Sequence, residues 1–301
     1  MKVQQWSKPY INGVYSKGQQ VGNMKTMRID YNQWSAYLRQ YSLHYLVIIL
    51  SGLLGAYVEL MLAPRTGSLQ FHKEDPAINK SYVKDEMVST PECVAMSAVL
   101  ALLVITGYCS AGKKYLNKIG AAPWMGGRPE GFSKEWHLLH LSIICQMLAL
   151  SITCALTCAL KLIIGNTRPD FLARCQLKNS DADTQGFLPF YTIKNCQQKD
   201  LSILYEGLKS TPSGHSSLVS CGLGFLYLWQ CRFIKGSSKK HAWCPLLALL
   251  VMVSRVVDHK HHWYDLIFGG VLGYVILRFA WRSVFDNGAP AMLLPAPVSY
   301  P

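Results

Sequence analysis

Three short segments of the chain carry residue types that suit the transfer of a phosphoryl group. A phosphoryl group in its transition state spreads negative charge over its oxygens, so an enzyme stabilises it mainly by positioning cations and N–H donors. Lys161, Arg168 and Arg255 supply three cations, and a guanidinium can bind two phosphate oxygens at once. The segments are Lys161 to Arg168-Pro169, Pro212-Ser213-Gly214-His215, and Ser254-Arg255 followed by His261 and Asp265.

The second and third segments supply the other groups that such a reaction needs. Ser213 and Gly214 stand before an apolar run, where N–H groups at a helix start attract anions and glycine permits close approach to the backbone. His261 and Asp265 are one helical turn apart, so we expect the carboxylate to hold one ring nitrogen and leave the other to attack phosphorus. His215 can then protonate the leaving alcohol and later deprotonate the hydrolytic water.

Each of these residues has a simpler interpretation when it is taken alone. Lys161 can extend from a helix end toward water, and Arg168 can be a loop residue ahead of a proline that stops the helix. Ser213 and Gly214 can serve only as a helix cap. The choice between these simple roles and one shared site depends on where the segments lie in the fold.

A cluster of histidines overlaps the third segment. His259, His261 and His262 could form a metal site, but they lack the usual His-x3-His spacing. No cysteine or second carboxylate in register completes a set of ligands. We therefore predict no metal and no cofactor.

Most of the chain around these segments is apolar enough to lie in a membrane. Half of the residues are hydrophobic and only 16% are charged, which excludes a disordered chain. Six apolar runs approach the length that a helix needs to cross a bilayer, more than one soluble core can cover. We predict an all-α polytopic membrane protein with six transmembrane helices. The runs are His44–Ala63, Glu92–Ser110, 137–164, Ser217–Ile234, Ala242–Val257 and Tyr264–Trp281.

The net charge of +13, from 30 basic and 17 acidic residues, is unevenly distributed. The N-terminal tail and the second and fourth loops carry an excess of lysine and arginine, whereas the first loop is balanced. Because cytosolic loops are the positive ones, we predict cytosolic termini, with loops one, three and five on the lumenal or outer face. All three segments then lie at the lumenal ends of helices 3 to 6, which favours one composite site.

The same topology gives the division of the chain and its lumenal features. We predict a cytosolic N-terminal tail (1–43), a six-span domain (44–285) and a cytosolic C-terminal tail (286–301). Asn79 begins a glycosylation sequon in the first loop, and Cys175 and Cys196 lie in the third loop, where a disulfide can persist. Binding to nucleic acid is disfavoured because the basic residues flank apolar runs and no recognition module is present.

In order and spacing, the three segments resemble the signature of the type 2 phosphatidic acid phosphatase superfamily. The resemblance covers roughly residues 40–285 and is strongest to the fungal lipid phosphate and diacylglycerol pyrophosphate phosphatases. It implies that His261 is the nucleophile, His215 the general acid, and Asp265 the carboxylate that orients the nucleophile. The phosphate ligands that it implies are Lys161, Arg168, Ser213, Gly214 and Arg255.

The resemblance also implies an activity and a location. The expected activity is magnesium-independent hydrolysis of phosphatidate, lysophosphatidate and diacylglycerol pyrophosphate through a phosphohistidine, in the bilayer of the Golgi, endoplasmic reticulum or vacuole. The motifs bind the phosphate rather than the lipid tail, so sphingoid-base phosphates and polyprenyl pyrophosphates stay alternatives, and a homo-oligomer is left open. A non-enzymatic lipid-phosphate binder or transporter is disfavoured because His215, His261 and Asp265 are all present.

Overall fold

The computed structural model describes residues 31–67, 69–117, 123–125, 127–177 and 190–286, whose secondary structure is helical apart from isolated β-bridges. Residues 1–30 of the predicted N-terminal tail and 287–301 of the C-terminal tail lie outside the described residues. Two π-helical turns, at Ala95–Val99 and Arg282–Asp286, continue neighbouring α-helices. The α-helices are α1 Tyr31–Gln40, α2 Ser42–Met61, α3 Thr90–Val94, α4 Leu100–Ala111, α5 Lys134–Ile164, α6 Phe171–Cys175, α7 Leu201–Glu206, α8 Gly214–Phe233, α9 Trp243–Val257 and α10 Trp263–Trp281.

The chain is an all-α polytopic membrane protein. In the part of the chain that the structure describes, five helices are long and apolar enough to cross a bilayer. They comprise α2, the continuous segment Thr90–Ala111, α5, the segment Ser238–Val257 and the segment Trp263–Asp286. The sequence predicted six spans, with apolar runs close to these helices.

The remaining predicted span forms the 20-residue helix α8, which is too polar to meet the same criterion. It carries Ser216, Ser217 and Gln230, which are buried. Eleven of its twenty residues are buried, because it packs against α5, α9 and α10. An enclosed helix does not need the uniformly apolar surface that lipid requires, which explains why it is less apolar than its neighbours.

Helix α10 approaches the backbone of α8 closely at two glycines. A Cβ atom at Gly269 would lie against the carbonyl oxygen of Ser213, and one at Gly273 would lie against that of Ser217. Small residues at such crossings let membrane helices come into backbone contact. This packing brings the start of α8 beside the start of α10, and Ser213 N donates a hydrogen bond of 3.1 Å to Asp265 O.

The loops after α2 and α5 pack on each other at the end of the bundle where α5 terminates. Phe71 and Tyr191 exchange two backbone hydrogen bonds, and Lys80 N donates to Pro169 O at 2.8 Å. A disulfide joins Cys175 to Cys196, with their Cα atoms 4.7 Å apart. The described parts of these two loops are called the loop cap below. They enclose a small apolar cluster that includes Phe71, Ile78, Phe171, Leu204 and Leu208.

The opposite end of the bundle is fastened by a chain of hydrogen bonds between tyrosines and histidines. Tyr37 Oη lies 2.7 Å from His137 Nδ1 and 2.6 Å from His140 Nδ1, and Tyr45 Oη lies 2.6 Å from His140 Nε2. His137 Nε2 lies 2.9 Å from the Trp124 carbonyl, which only accepts, so Nδ1 of His137 must accept from Tyr37. Each proton in this chain of hydrogen bonds therefore has one position, and the hydrogen bonds attach α1 to α5.

Candidate active site

The three segments meet around one cavity of about 360 Å³ beneath the loop cap. Lys161 lies in the last turn of α5, and Arg255 in the last turn of α9. His215 lies in the first turn of α8, and His261 in the turn before α10. Six of the eight predicted site residues line the cavity, whereas Ser213 and Asp265 are fully buried behind it. The lining residues from that set are Lys161, Arg168, Gly214, His215, Arg255 and His261.

The hydrogen bonding of His261 fixes which ring nitrogen is free. Nδ1 lies 2.7 Å from the carbonyl oxygen of Ser210, and because a carbonyl only accepts, Nδ1 carries the proton. Nε2 therefore keeps its lone pair. Burial, followed by the positive charges of Arg168 and Lys161, lowers the pKa of His261 to about 3, although Asp265 opposes the shift. The imidazole is neutral at physiological pH, as a nucleophile requires.

Asp265 contacts the residues that surround His261 rather than the His261 ring itself. His261 Nδ1 lies 3.8 Å from Asp265 Oδ2, too far for a hydrogen bond. Oδ2 instead accepts from Ser210 Oγ at 2.6 Å and from His262 N at 2.8 Å, and Oδ1 accepts from the Thr211 hydroxyl. The expected direct bond assumed one continuous helix, but α10 begins at Trp263, after the histidine.

Arg255 is held from two sides. The side chain is 1% exposed, with Nη2 donating to Asp258 Oδ2 at 2.6 Å and Nη1 donating to Glu86 Oε2 at 2.8 Å. Nη1 also lies 3.5 Å from His215 Nε2, which places the predicted general acid beside the guanidinium. The arginine thus spans the distance between the loop cap and the start of α8.

Arg168 has an unused donor. Its Nη2 donates to Glu206 Oε2 at 2.9 Å, whereas its Nε is buried with no hydrogen-bond partner among the described residues. Burial alone would raise the pKa of Glu206, but Arg168, Lys161 and Lys209 outweigh it and lower the pKa to about 2. A buried N–H without a partner is costly, so Nε of Arg168 is ready to donate to an anion in the cavity.

The start of α8 leaves space for an anion beside Lys161. Ser213 caps the helix, and its Oγ accepts from Ser216 N at 3.4 Å. A Cβ atom at Gly214 would lie 3.5 Å from Lys161 Nζ, so any side chain there would fill the gap between the amine and the helix start. Glycine keeps that gap open to a ligand.

The cavity also contains charged residues that the sequence did not single out as part of a site. Four cations and three carboxylates line it, and the additional ones are Lys260, Glu59, Glu86 and Glu206. Glu59 is an acid within the apolar run His44–Ala63, where an ionisable residue usually has a partner. Glu86 and Glu206 lie in segments of mixed charge between the predicted spans, where no spacing rule indicates that the two side chains meet.

The other two histidines of the cluster bind different partners. His259 Nδ1 lies 3.3 Å from Ser81 O, and His262 Nε2 lies 3.2 Å from Ala77 O. Within the described ranges, no group of three or more His, Cys, Asp or Glu residues is placed to share a metal ion.

These features describe an integral membrane protein with a cationic site that holds a neutral, buried histidine. The chain belongs to the PAP2 superfamily, whose match covers residues 141–289. It is 45% identical over 266 residues to lipid phosphate phosphatase 1 of Saccharomyces cerevisiae, covering 87% of this chain and 95% of the relative. The predicted family is thereby confirmed.

Two further relatives define the range of similarity. Diacylglycerol pyrophosphate phosphatase 1 of Saccharomyces cerevisiae is 33% identical over 228 residues, which are 72% of this chain and 71% of the relative. Lipid phosphate phosphatase 1 of Arabidopsis thaliana is 35% identical over 158 residues, which are 50% of this chain and 46% of the relative. No solved structure matches the chain.

Proposed function

We propose that the chain is a membrane-bound lipid phosphate phosphatase that works without magnesium through a phosphohistidine at His261. Its substrates are phosphatidate, lysophosphatidate and diacylglycerol pyrophosphate. The observation that most supports this proposal is the Ser210 carbonyl on Nδ1 of His261, because it leaves Nε2 of a buried neutral imidazole unprotonated in a cationic cavity. The names of the two yeast relatives support the substrate class.

In the first step, Nε2 of His261 attacks phosphorus and forms a P–N bond while the bond from phosphorus to the leaving oxygen breaks. His215 donates a proton to that oxygen, so a neutral lipid alcohol departs from a monoester, or a lipid phosphate departs from a pyrophosphate. Lys161, Arg168, Arg255 and the N–H groups at the start of α8 stabilise the charge on the transferring group.

In the second step, water attacks the phosphohistidine. His215, now unprotonated, takes a proton from this water as the new P–O bond forms and the P–N bond breaks. Inorganic phosphate leaves, and Nε2 of His261 regains its lone pair. Asp265 acts through Ser210 and keeps the imidazole in one tautomer and orientation throughout.

The site residues bind the phosphate, so the lipid tail is assigned by similarity. Sphingoid-base phosphates and polyprenyl pyrophosphates present the same group and stay second candidates for the substrate. A binder or transporter without catalysis would not require His261 to be held in one tautomer, and this favours the enzyme.

We also propose the membrane arrangement that the charge distribution predicts. Helix α8 crosses as a sixth span enclosed by the others, both termini are cytosolic, and the site faces the lumen of the Golgi, endoplasmic reticulum or vacuole. Asn79 is exposed in the loop cap, which suits an N-linked glycan on that face. An endoglycosidase-sensitive mass shift that Asn79→Gln abolishes would support this topology, and a glycan-free protein would count against it.

The lipid phosphate itself is the predicted ligand, and the oligomeric state is left open.

The experiment is phosphate release from a lipid panel in detergent micelles, with and without chelator. Wild type should release phosphate from phosphatidate and diacylglycerol pyrophosphate in chelator, whereas His261→Ala should be inactive at equal expression. His72→Ala is the control, because His72 packs against Phe190 in the loop cap and does not line the cavity. Turnover by His261→Ala, or a requirement for magnesium, would contradict the proposal.

A further inference from the structure

The loop cap contacts two residues of the turn that carries the predicted nucleophile. Met87 N donates to Asp258 Oδ2 at 3.0 Å, at the start of that turn. Next to His261, Lys260 Nζ donates to the carbonyl oxygen of Val83 at 2.6 Å and lies 4.5 Å from the centre of the Tyr82 ring. The loop between α2 and α3 therefore contributes directly to the conformation of the residues around His261.

One side chain of this loop joins Lys260 of the turn to Arg255 in the last turn of α9. Glu86 Oε2 accepts from Arg255 Nη1 at 2.8 Å, and Glu86 Oε1 lies 3.4 Å from Lys260 Nζ. Although burial opposes ionisation, its bond to Arg255 and the charge of Lys260 lower the pKa of Glu86, so the side chain is an anion at neutral pH. A single carboxylate thus pairs with a predicted phosphate ligand and with the residue next to the nucleophile.

The turn needs such external support. His259 has a φ of 55°, in the left-handed region that residues other than glycine rarely adopt, at a cost on the order of 1 kcal/mol. The amides of Lys260 and His261 both point to the carbonyl oxygen of Arg255, at 2.9 and 3.3 Å. The strained turn is folded back on Arg255, so the placement of that arginine also places the nucleophile.

The donors of Arg255 are divided between structure and ligand. A guanidinium has five N–H donors. Three are committed, because Nε donates to Ser254 Oγ at 3.2 Å while the terminal nitrogens donate to Asp258 and Glu86. Two donors remain, one on Nη2 and one on Nη1, and Nη1 also lies 3.5 Å from His215 Nε2. A bidentate phosphate contact would use this pair. Glu86 leaves this pair available while it holds the guanidinium in place.

We propose that Glu86 is a positioning residue of the reaction, which clamps Arg255 and Lys260 so that the phosphate contact and the nucleophile keep their relative geometry. This inference rests on the proposed phosphatase function. Glu86 acts through its two cationic partners and does not exchange protons with the substrate. Its loss should therefore damage turnover more than binding, because the cations that attract the phosphate stay in the cavity.

The test compares Glu86→Gln and Glu86→Asp in the full-length enzyme, with kcat normalised to folded, monodisperse protein. Glu86→Gln keeps the size of the side chain and removes its charge, so kcat should fall by about tenfold or more while KM changes by less than about threefold. Glu86→Asp restores the carboxylate at a shorter reach and should recover a substantial part of kcat. Asp85→Asn is the matched control, because Asp85 is the exposed neighbouring acid and should retain wild-type kinetics.

Three results would overturn the inference. The first is a kcat of Glu86→Gln within about twofold of wild type. The second is a kcat of Glu86→Asp no higher than that of Glu86→Gln. In the third, Glu86→Gln would bind inorganic phosphate more tightly as a competitive inhibitor with kcat unchanged, which would make Glu86 only a competitor for Arg255. An inactive wild type would instead contradict the proposed function, so the two failures are distinguishable.

Discussion

The carbonyl oxygen of Ser210 lies 2.7 Å from Nδ1 of His261 and accepts a hydrogen bond from it. The spacing of the sequence predicted Asp265 as the partner of this ring nitrogen. The carboxylate of Asp265 binds the hydroxyl of the same serine at 2.6 Å. The contacts therefore run from Asp265 through Ser210 to His261, the predicted nucleophile. A backbone carbonyl fixes the tautomer in this arrangement, and the carboxylate fixes the position of the carbonyl.

This relationship predicts unequal effects of two substitutions. Ser210→Ala removes the hydroxyl bond to Asp265 but keeps the carbonyl, so kcat should fall by about tenfold. Asp265→Asn weakens the contacts to Ser210, Thr211 and His262 together, so kcat should fall by about a hundredfold or more. Steady-state kinetics of both variants test this, with Ser202→Ala as a control at an exposed helix start. An unchanged kcat in Ser210→Ala beside a large loss in Asp265→Asn would indicate that Asp265 acts on His261 without Ser210.

The buried neutral state of His261 predicts a pH-dependent contribution to stability. Its pKa is lowered from 6.5 to about 3, so between these values the unfolded chain binds a proton that the folded protein does not. The contribution of this group to folding stability therefore falls as the pH drops below 6.5. His261→Gln removes it and should gain about 1.4 kcal/mol relative to wild type for each pH unit below 6.5. Thermal unfolding in detergent between pH 7 and 4.5 measures this, and a constant difference across that range would contradict it.

The close crossing of α8 and α10 predicts that Gly269 tolerates no side chain. Gly269→Ala places a methyl group against the Ser213 carbonyl and 3.1 Å from Ser216 Cβ. Because backbone cannot yield as a flexible side chain can, the variant should lose about 1–3 kcal/mol of stability and also lose activity per folded enzyme. Gly52→Ala is the control, because no atom lies within 4 Å of the added group. A Gly269→Ala enzyme with wild-type stability would refute the backbone contact.

The hydrogen-bonded tyrosines and histidines at the far end of the bundle predict a loss of stability without a loss of activity. Tyr37→Phe leaves one nitrogen of His137 and one of His140 without their partner, so stability should fall by about 1–3 kcal/mol. His137 lies near the far end of α5, about 36 Å from Lys161 along the helix, so kcat per folded enzyme should be retained. Thermal unfolding and kinetics of Tyr37→Phe test both parts. Tyr31→Phe, at a residue that is 81% exposed, is the control.

The features that the sequence predicted well are local. The membrane helices follow from continuous apolar runs, and the proximity of Lys161, His215 and His261 follows from their shared position at helix ends. Five of the six predicted spans are apolar enough to cross a bilayer, whereas α8 is less apolar because a helix enclosed by others can keep Ser217 and Gln230, and its crossing stays a prediction. The prediction of a direct bond between His261 and Asp265 is wrong because the spacing rule assumes that both residues lie in one helix, whereas the helix begins at Trp263.

The features that the sequence could not predict depend on long loops. Glu86 meets Arg255 across 169 residues of chain, and Lys209 meets Glu59 across 150. Loop residues carry no periodicity that would indicate such partners. The roles of the site residues stay predictions, because they concern a reaction rather than a contact.

The most direct test of the account is to trap the phosphohistidine. Wild-type enzyme mixed rapidly with phosphatidate labelled in its phosphate, and quenched in base, should carry a base-stable, acid-labile label on the peptide that contains His261. His261→Ala should carry no label at equal folded protein. Rapid turnover by wild type without any labelled intermediate, or label on His261→Ala, would contradict the assignment of His261 as the nucleophile.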